Sequence, residues 1–161
     1  MNQSWENQIR NAIEDVEKLQ TILPLTESEK AEIVKVNKEN AFRITPYYAS
    51  LIYASDPNCP IRMQSIPNIK ELNILYGQED PLTELNTSPV PLVIHVYPDR
   101  VAFLVSDQCA MYCRHCLRKH TVKKHSVSYS KSEIQKAIEY IAETDTIRDV
   151  LLTGGDPLML S

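Results

Sequence analysis

Residues 100–116 read RVAFLVSDQCAMYCRHC and combine an apolar run with three closely spaced cysteines. Its first seven residues, Arg100–Ser106, form a short continuous apolar run, typical of a strand that is buried on both faces of a parallel sheet. Cys109, Cys113 and Cys116 follow the strand directly. Because ligands of open α/β sheets gather at the carboxyl ends of strands, the order of strand and cysteines predicts a binding loop here.

The residues after this loop predict a helix and a second strand. Ser130 and Glu133 form a capping box, in which each side chain meets the backbone N–H of the other residue. Apolar residues then recur at helical spacing: Ile134, Ala137, Ile138 and Ile141. Residues 149–153 are a second apolar run that ends in Gly154 and Gly155. Strand, loop, helix and strand together predict one βαβ unit with a right-handed crossover.

Residues 1–99 are predicted to be mostly helical. One apolar stripe precedes Pro24 and consists of Trp5, Ile9, Ala12, Ile13, Val16, Leu19 and Leu23. A capping box at Thr26 and Glu29 opens the next helix, and a shorter helix is expected over residues 47–54. Prolines divide residues 66–97 into a short helix and extended connecting chain.

These elements predict an α/β fold with two parts: a helical arm over residues 1–99, and the start of a core domain over residues 100–161. A two-stranded parallel sheet has two open edges and is normally covered on both faces. We therefore expect the chain to be a piece of a longer enzyme, with a core domain that breaks off after its second strand. Alone, such a piece is expected to be prone to aggregation.

Composition narrows the class of protein. The 161 residues include 17 Lys and Arg against 21 Asp and Glu, so the net charge is −4, which argues against a nucleic-acid-binding surface. The sequence offers neither a membrane-spanning apolar run nor a secretory signal at its start. We expect a cytoplasmic protein that has no membrane or nucleic-acid partner and whose cysteines are reduced.

Three closely spaced cysteines suit a metal better than a disulfide framework. Three thiolates can hold a [4Fe–4S] cluster whose fourth iron has no protein ligand, because a fully protein-ligated cluster takes four cysteines. A small molecule with adjacent amine and carboxylate groups could chelate that iron and receive an electron. The alternative is a structural zinc site that adds His120 or His125 to the cysteines, within a module without catalysis. Cys59 is interpreted as an ordinary thiol in a turn.

The Cys-x3-Cys-x2-Cys spacing resembles that of the radical S-adenosylmethionine (SAM) superfamily. The flanking sequence is more narrowly similar to the lysine 2,3-aminomutase family, in order from residue 44 to the end. The matching segments are residues 44–52, 56–57, 60–62, 80–82, 97–100, 113–116 and 148–156.

The resemblance implies a partial (β/α) barrel behind the helical arm, here truncated after its first βαβ unit. It implies three cofactors: a [4Fe–4S] cluster, SAM and pyridoxal 5′-phosphate (PLP). In the family, a 5′-deoxyadenosyl radical made from SAM takes a hydrogen from the β-carbon of a PLP-bound amino acid. The α-amino group then migrates to that carbon, so the cofactors carry the difficult chemistry and the protein places them.

The resemblance also implies the site residues. Cys109, Cys113 and Cys116 match the cluster ligands, and His115 matches the residue that lies against the SAM adenine. Gly154, Gly155 and Asp156 match the loop that receives the methionyl amino group of SAM. Tyr97 and Arg100 match positions at the PLP phosphate, and Arg118 matches the arginine that holds the substrate carboxylate. The family's PLP lysine lies beyond residue 161, so no catalytic residue is expected within this chain.

Two departures from the family pattern bear on the substrate. Val96 stands where the lysine enzymes usually have an arginine, and Leu117, Arg118, Lys119 and His120 replace a more basic run. The run at residues 117–120 is more similar to the branch of the family that acts on a lysine of elongation factor P. The expected substrate is an amino acid, with glutamate, arginine or that protein-bound lysine as alternatives to free lysine. A flavodoxin- or ferredoxin-type electron donor and a homo-oligomeric full-length protein are also implied.

Overall fold

The computed structural model describes residues 4–73, 78, 80–119 and 129–160. It divides the chain into two compact units, each built from two separate segments. The first unit comprises Met1–Gly77 and Ala110–Lys119, and the second comprises Gln78–Cys109 and His120–Ser161. Within the described ranges, no helix is both long enough and apolar enough to cross a membrane.

The first unit is helical. Its helices are α1 (Trp5–Arg10), α2 (Val16–Leu19), α3 (Glu27–Glu39), α4 (Pro46–Ser50), α5 (Pro60–Ser65) and a 3₁₀ turn at Ile69–Leu72. The predicted capping box of α3 is confirmed: the Thr26 hydroxyl accepts from the Glu29 N–H, and the Glu29 carboxylate accepts from the Thr26 N–H. The helix predicted over residues 47–54 is shorter than expected and ends at Ser50.

The spacing of the apolar stripe before Pro24 predicts a single helix. In the structure, the stripe is divided between two helices. The Asp15 side chain accepts a hydrogen bond from the Lys18 N–H and so begins α2 separately from α1. Between the two helices, Ile13 pairs with Ile44 through two backbone hydrogen bonds of 2.8 and 3.0 Å. A tertiary backbone pairing therefore interrupts the helical pattern, although most of the stripe still faces inward.

The core of the first unit gathers the apolar residues of these short helices. Its buried members are Ile13, Val16, Leu19, Leu23, Ile33, Phe42, Ile44, Ala49, Ile52, Cys59 and Ile66. Trp5 is the exception among the stripe residues, since 57% of its surface is exposed. Met111 packs against this core, so the cysteine-containing segment is in direct contact with the unit's interior.

The second unit contains a three-stranded sheet. Its strands are β1 (Val93–Tyr97), β2 (Arg100–Ser106) and β3 (Asp149–Gly154), in the order β1-β2-β3. β1 and β2 are antiparallel, whereas β2 and β3 are parallel, from the Arg100–Asp149 pair to the Ser106–Gly154 pair. Helix α6 (Lys131–Glu143) connects the parallel strands and begins at the predicted capping box of Ser130 and Glu133. Short 3₁₀ turns lie at Glu84–Thr87 and Pro157–Met159.

Both predicted strands are present, but β1 was not expected. It pairs with an edge of β2 that the sequence predicts to be open. The prediction that both outer edges are unpaired is therefore wrong for β2. Three prolines around this strand, Pro89, Pro91 and Pro98, suggested irregular chain, whereas the five residues that pair contain none.

The two parallel strands also differ in burial. Val101 and Phe103 of β2 are buried with Val93 and with Ala137 of α6. β3 contributes nothing to this cluster among the described residues, and Leu151 and Leu152 are 65% and 55% exposed. The expectation of a buried strand thus fails for β3, whereas α6 packs against residues of β1 and β2. The division at residues 99 and 100 does not coincide with the two units and stays a prediction.

Candidate functional site

The cysteine loop begins where β2 ends, as predicted. Cys109 lies three residues after Ser106 and closes a segment of the second unit, whereas Cys113 and Cys116 belong to the first unit. All four cysteines of the chain are described, and each is a thiol with no disulfide. The three in the motif are half-buried, and Cys59 is buried. Their type and number fit the thiolate ligands of an iron–sulfur cluster.

The side chains are not already gathered as a metal site. Within residues 4–73, 78, 80–119 and 129–160, no three His, Cys, Asp or Glu side chains form a group that could hold a metal ion. Burial raises the pKa of the Cys113 thiol, and a negative charge on Cys116 would raise it further. Iron binds the thiolate form, so assembly of a cluster would release the thiol protons of the cysteines. His120 and His125 of the zinc alternative lie outside the described residues.

Arg114 anchors the segment that carries Cys113 and Cys116. Its guanidinium donates to both carboxylate oxygens of Glu71, with Nε–Oε1 and Nη2–Oε2 distances of 2.9 and 2.7 Å. The same group donates to the carbonyls of Asn40 and Ala41, at 3.1 and 2.9 Å. Because only 6% of the Arg114 side chain and 12% of the Glu71 side chain are exposed, this ion pair is largely removed from water.

Backbone hydrogen bonds hold the same segment from both sides. The Tyr112 N–H donates to the Arg43 carbonyl at 2.9 Å, and the Arg114 N–H donates to the Gln64 carbonyl at 2.8 Å. Lys119 adds a second cation to Glu71, at 3.0 Å. Cys113 and Cys116 therefore lie on a segment whose path is fixed against the helical unit.

Glu71 is held ionised within this contact. Burial by itself opposes its charge, but the hydrogen bonds and positive charge of Arg114 outweigh burial and lower the pKa of Glu71. The amino-acid sequence alone does not reveal this residue pair. Arg114 stands between two cysteines, and this position marks it as a candidate site residue. Glu71 lies 43 positions away, and nothing in its sequence context marks it.

His115 and Arg118 are both more exposed than Arg114, the arginine that anchors the loop. His115 is exposed, whereas its neighbour Arg114 is buried. With Pro60, Met63 and Gln64, His115 lines a wide, open depression on the first unit. Arg118 is half-buried two residues after Cys116. The roles predicted for His115 at the adenine and Arg118 at the substrate carboxylate stay predictions.

Gly154, Gly155 and Asp156 lie at the carboxyl end of the parallel strands, beside the residues that lead to Cys109. The Gly155 N–H donates to the Ser106 carbonyl at 2.5 Å, and the Asp156 N–H donates to the Gln108 carbonyl at 2.7 Å. A Cβ on Gly154 would overlap the Ser106 carbonyl, and a Cβ on Gly155 would overlap the Gln108 backbone. Gly154 also has φ of +119°, so both positions require glycine.

Tyr97 and Arg100 lie at the other end of the sheet, on either side of the turn between β1 and β2. The Arg100 guanidinium is 5.8 Å from the centre of the Tyr97 ring and forms two 2.9 Å hydrogen bonds with Asp99. Val96 is also exposed here. Arg100 and Ser106 are the two ends of β2, about 20 Å apart at the usual rise per residue. Within this unit, the residues predicted for the PLP phosphate are thus not brought beside the glycine pair.

Comparison with known proteins supports the iron–sulfur interpretation. Residues 99–161 match the model of a 4Fe–4S single cluster domain. Over 98% of its length, the chain is 48% identical to the L-lysine 2,3-aminomutase of Clostridium subterminale, covering 38% of that protein. It is 51% identical to the L-lysine 2,3-aminomutase of Methanococcus maripaludis over 96% of this chain and 36% of that protein.

A relative with a different name is almost as similar. The glutamate 2,3-aminomutase of Clostridioides difficile is 42% identical over 98% of this chain and 38% of its own length. The chain therefore spans less than half of the length of the curated relatives that it matches. The resemblance inferred from the motifs is confirmed: by sequence, the chain belongs to the lysine 2,3-aminomutase family.

Proposed function

We propose that the chain is the cluster-binding part of a radical SAM aminomutase, an isomerase that moves an α-amino group of an amino acid to the β-carbon. One observation carries the proposal. Cys109, Cys113 and Cys116 occur at the carboxyl end of a strand, within a segment that matches a 4Fe–4S single cluster domain, in a chain that is similar to aminomutases.

The donor set supports one [4Fe–4S] cluster with an open iron. Three cysteines leave one of the four irons without a protein ligand. When bound, the cluster would supply an electron for cleavage of SAM, and PLP would hold the amino group that migrates. The chain's own contribution is to fix the ligands: Arg114 and Tyr112 hold the loop around Cys113, and the bonds at Ser106 and Gln108 hold the chain before Cys109.

The remaining cofactor contacts follow the family pattern. Gly154, Gly155 and Asp156 would receive the methionyl amino group of SAM, because glycines leave backbone carbonyls accessible. His115 is exposed enough to lie against the adenine ring. Tyr97 and Arg100 would contact the PLP phosphate, for which the arginine fork is suited.

The substrate is proposed to be an amino acid whose carboxylate pairs with Arg118. The relatives are named for lysine and for glutamate, so free lysine is our first choice. Glutamate, arginine and a lysine of elongation factor P remain the alternatives. We further propose a cytoplasmic location, where thiols stay reduced, a flavodoxin- or ferredoxin-type electron donor, and a homo-oligomeric full-length protein.

Anaerobic reconstitution with iron and sulfide tests the cluster assignment. We expect about four irons per chain, as a [4Fe–4S] cluster requires, and a charge-transfer absorption that zinc does not give. C109A, C113A and C116A should each abolish both signals. C59A is the matched control, because Cys59 is buried in the helical core and should not be a ligand.

The outcomes separate the proposal from its alternatives. Zinc uptake without visible absorption would support a structural zinc module instead. Loss of the cluster in C59A together with retention in C113A would overturn the ligand assignment. A cluster that forms but does not support SAM cleavage would leave an iron–sulfur module without this catalysis.

A further inference from the structure

Ser106 occupies a place where the strand, the cysteine loop and the glycine turn meet. It is the last residue of β2 and is only 3% exposed. Its hydroxyl oxygen accepts a hydrogen bond from the Gln108 N–H at 3.1 Å, which closes a tight turn directly before Cys109. A buried hydroxyl that accepts from the residue two positions on fixes the local direction of the chain.

The backbone of the same turn binds the glycine turn. The Ser106 carbonyl accepts from the Gly155 N–H, and the Gln108 carbonyl accepts from the Asp156 N–H. The hydroxyl of Ser106 thus sets the orientation of Gln108, whose carbonyl in turn holds Asp156. The absence of side chains on Gly154 and Gly155 allows this close approach. A change in the backbone of the cysteine loop must therefore alter the position of the glycine turn, and the reverse.

We propose that Ser106 is a positioning residue that sets Cys109 and the Gly154–Asp156 turn in one fixed arrangement. The inference rests on the proposed function, in which Cys109 binds the cluster and the turn binds SAM. The Ser106 hydroxyl acts on both through Gln108, whose N–H it accepts from. Its hydroxyl makes the cysteine loop and the glycine turn a preformed pair, so that a ligand contacting both need not order them.

Amide hydrogen exchange tests the arrangement without any cofactor. In the wild-type protein, the N–H groups of Gln108 and Asp156 should be protected together. S106A should speed exchange at Asp156 by about fivefold to tenfold, the effect of one ordinary hydrogen bond. Exchange at Gly155 should change less, because its acceptor is the Ser106 backbone carbonyl. S106T keeps the hydroxyl and should restore protection.

Iron retention tests the consequence for the cluster. We expect S106A to take up iron but release it to a ferrous chelator about fivefold to tenfold faster than wild type. S106T should release it at the wild-type rate. S65A is the matched control, since the Ser65 hydroxyl is equally buried but donates to the Ile61 carbonyl inside α5. A merely structural loss of a buried hydroxyl would affect S65A and S106A alike.

The possible results are distinct. Wild-type exchange and wild-type iron release in S106A would overturn the role of Ser106, as would equal effects of S106A and S65A. If S106A fails to fold, the wild-type protein alone still tests the role of Ser106. Rapid exchange of the Gln108 and Asp156 N–H groups would overturn that role, and joint protection of the two would support it. If wild-type protein takes up no iron, the proposed function fails, and the exchange experiment then reports on the turn alone.

Discussion

Two groups of ions in this molecule both pair arginine with a carboxylate but differ in exposure. The buried ion group consists of Glu71, Arg114 and Lys119 in the first unit. The exposed ion group consists of Asp99, Arg100, Arg148 and Asp149 in the second unit. The distances are similar, with closest N–O contacts of 2.7 Å in both.

Exposure determines what these contacts contribute. The side chains of Arg100 and Arg148 are 54% and 69% exposed, so water and salt compete for both partners. Arg114 instead has few routes to water, because its guanidinium donates to the Glu71 carboxylate and to two backbone carbonyls. Loss of one partner in the buried ion group therefore leaves a charge that water cannot readily solvate, whereas loss in the exposed ion group does not.

The largest effect is expected for R114M. It removes the cation that donates two hydrogen bonds to the buried Glu71 carboxylate and leaves that carboxylate to the partly exposed Lys119. Breaking such a buried pair costs about 3–5 kcal/mol in the free energy of unfolding. Urea denaturation at neutral pH measures this loss. Iron content after reconstitution should also fall, because Cys113 and Cys116 flank the anchored residue. A loss below about 1 kcal/mol would mean that Glu71 reaches water in the folded state.

A smaller net effect is expected when both partners are removed. Replacing Arg114 by Met and Glu71 by Leu together leaves no buried charge, and Lys119 is 30% exposed and can turn toward water. The double variant should therefore recover about 2 kcal/mol or more of the loss in R114M. Urea denaturation of wild type, R114M, E71L and the double variant completes this double-mutant cycle. Additive losses would show that the two side chains do not interact.

Acid should weaken the buried ion group. The pKa of Glu71 is lowered in the folded state, so its contribution to stability is complete above the unfolded value of about 4.5. It is lost progressively as pH falls below that value through the lower folded pKa. Chemical denaturation between pH 6 and about pH 3 should show a loss in wild type that is smaller in the double variant. Identical acid dependence in both would contradict the assignment.

The smallest effect on stability is expected for R100M in the exposed ion group. Its guanidinium pairs with the adjacent Asp99 at an exposed turn, so the urea midpoint should not shift measurably. PLP binding is the contrasting measurement: loss of a phosphate contact should weaken it about tenfold or more. R148M is the control, since Arg148 is also exposed and paired with Asp99 but matches no PLP position. Equal PLP affinity in all three proteins would remove Arg100 from the phosphate site.

The parts of the fold that depend on local chemistry were predictable from sequence. The capping boxes at Thr26 and Ser130 begin helices where expected, because each needs only residues three positions apart. β2 and the parallel pairing with β3 followed from two apolar runs with a helix between them. The cysteines follow β2 as their sequence position requires.

The rest depends on contacts that are distant in sequence. β1 lies among prolines and is a strand because β2 offers it an edge. The Ile13–Ile44 pairing breaks a helical pattern that is locally intact. Glu71 and Arg114 are 43 positions apart, and a single sequence contains no sign of their pairing. The requirement for glycine at Gly154 and Gly155 became specific only when their neighbours, Ser106 and Gln108, were seen.

The order in which the chain is synthesised gives the divided first unit a further consequence. Ribosomes extend a chain from its amino end, and a domain folds once its residues have emerged. The helical segment Met1–Gly77 emerges first, but Ala110–Lys119 completes its unit only after the sheet residues Gln78–Cys109 have also appeared. Until then Glu71 lacks Arg114 and Lys119, and its burial has no compensating charge. The nascent helical segment thus gains its last ionic contacts from the segment that also brings Cys113 and Cys116.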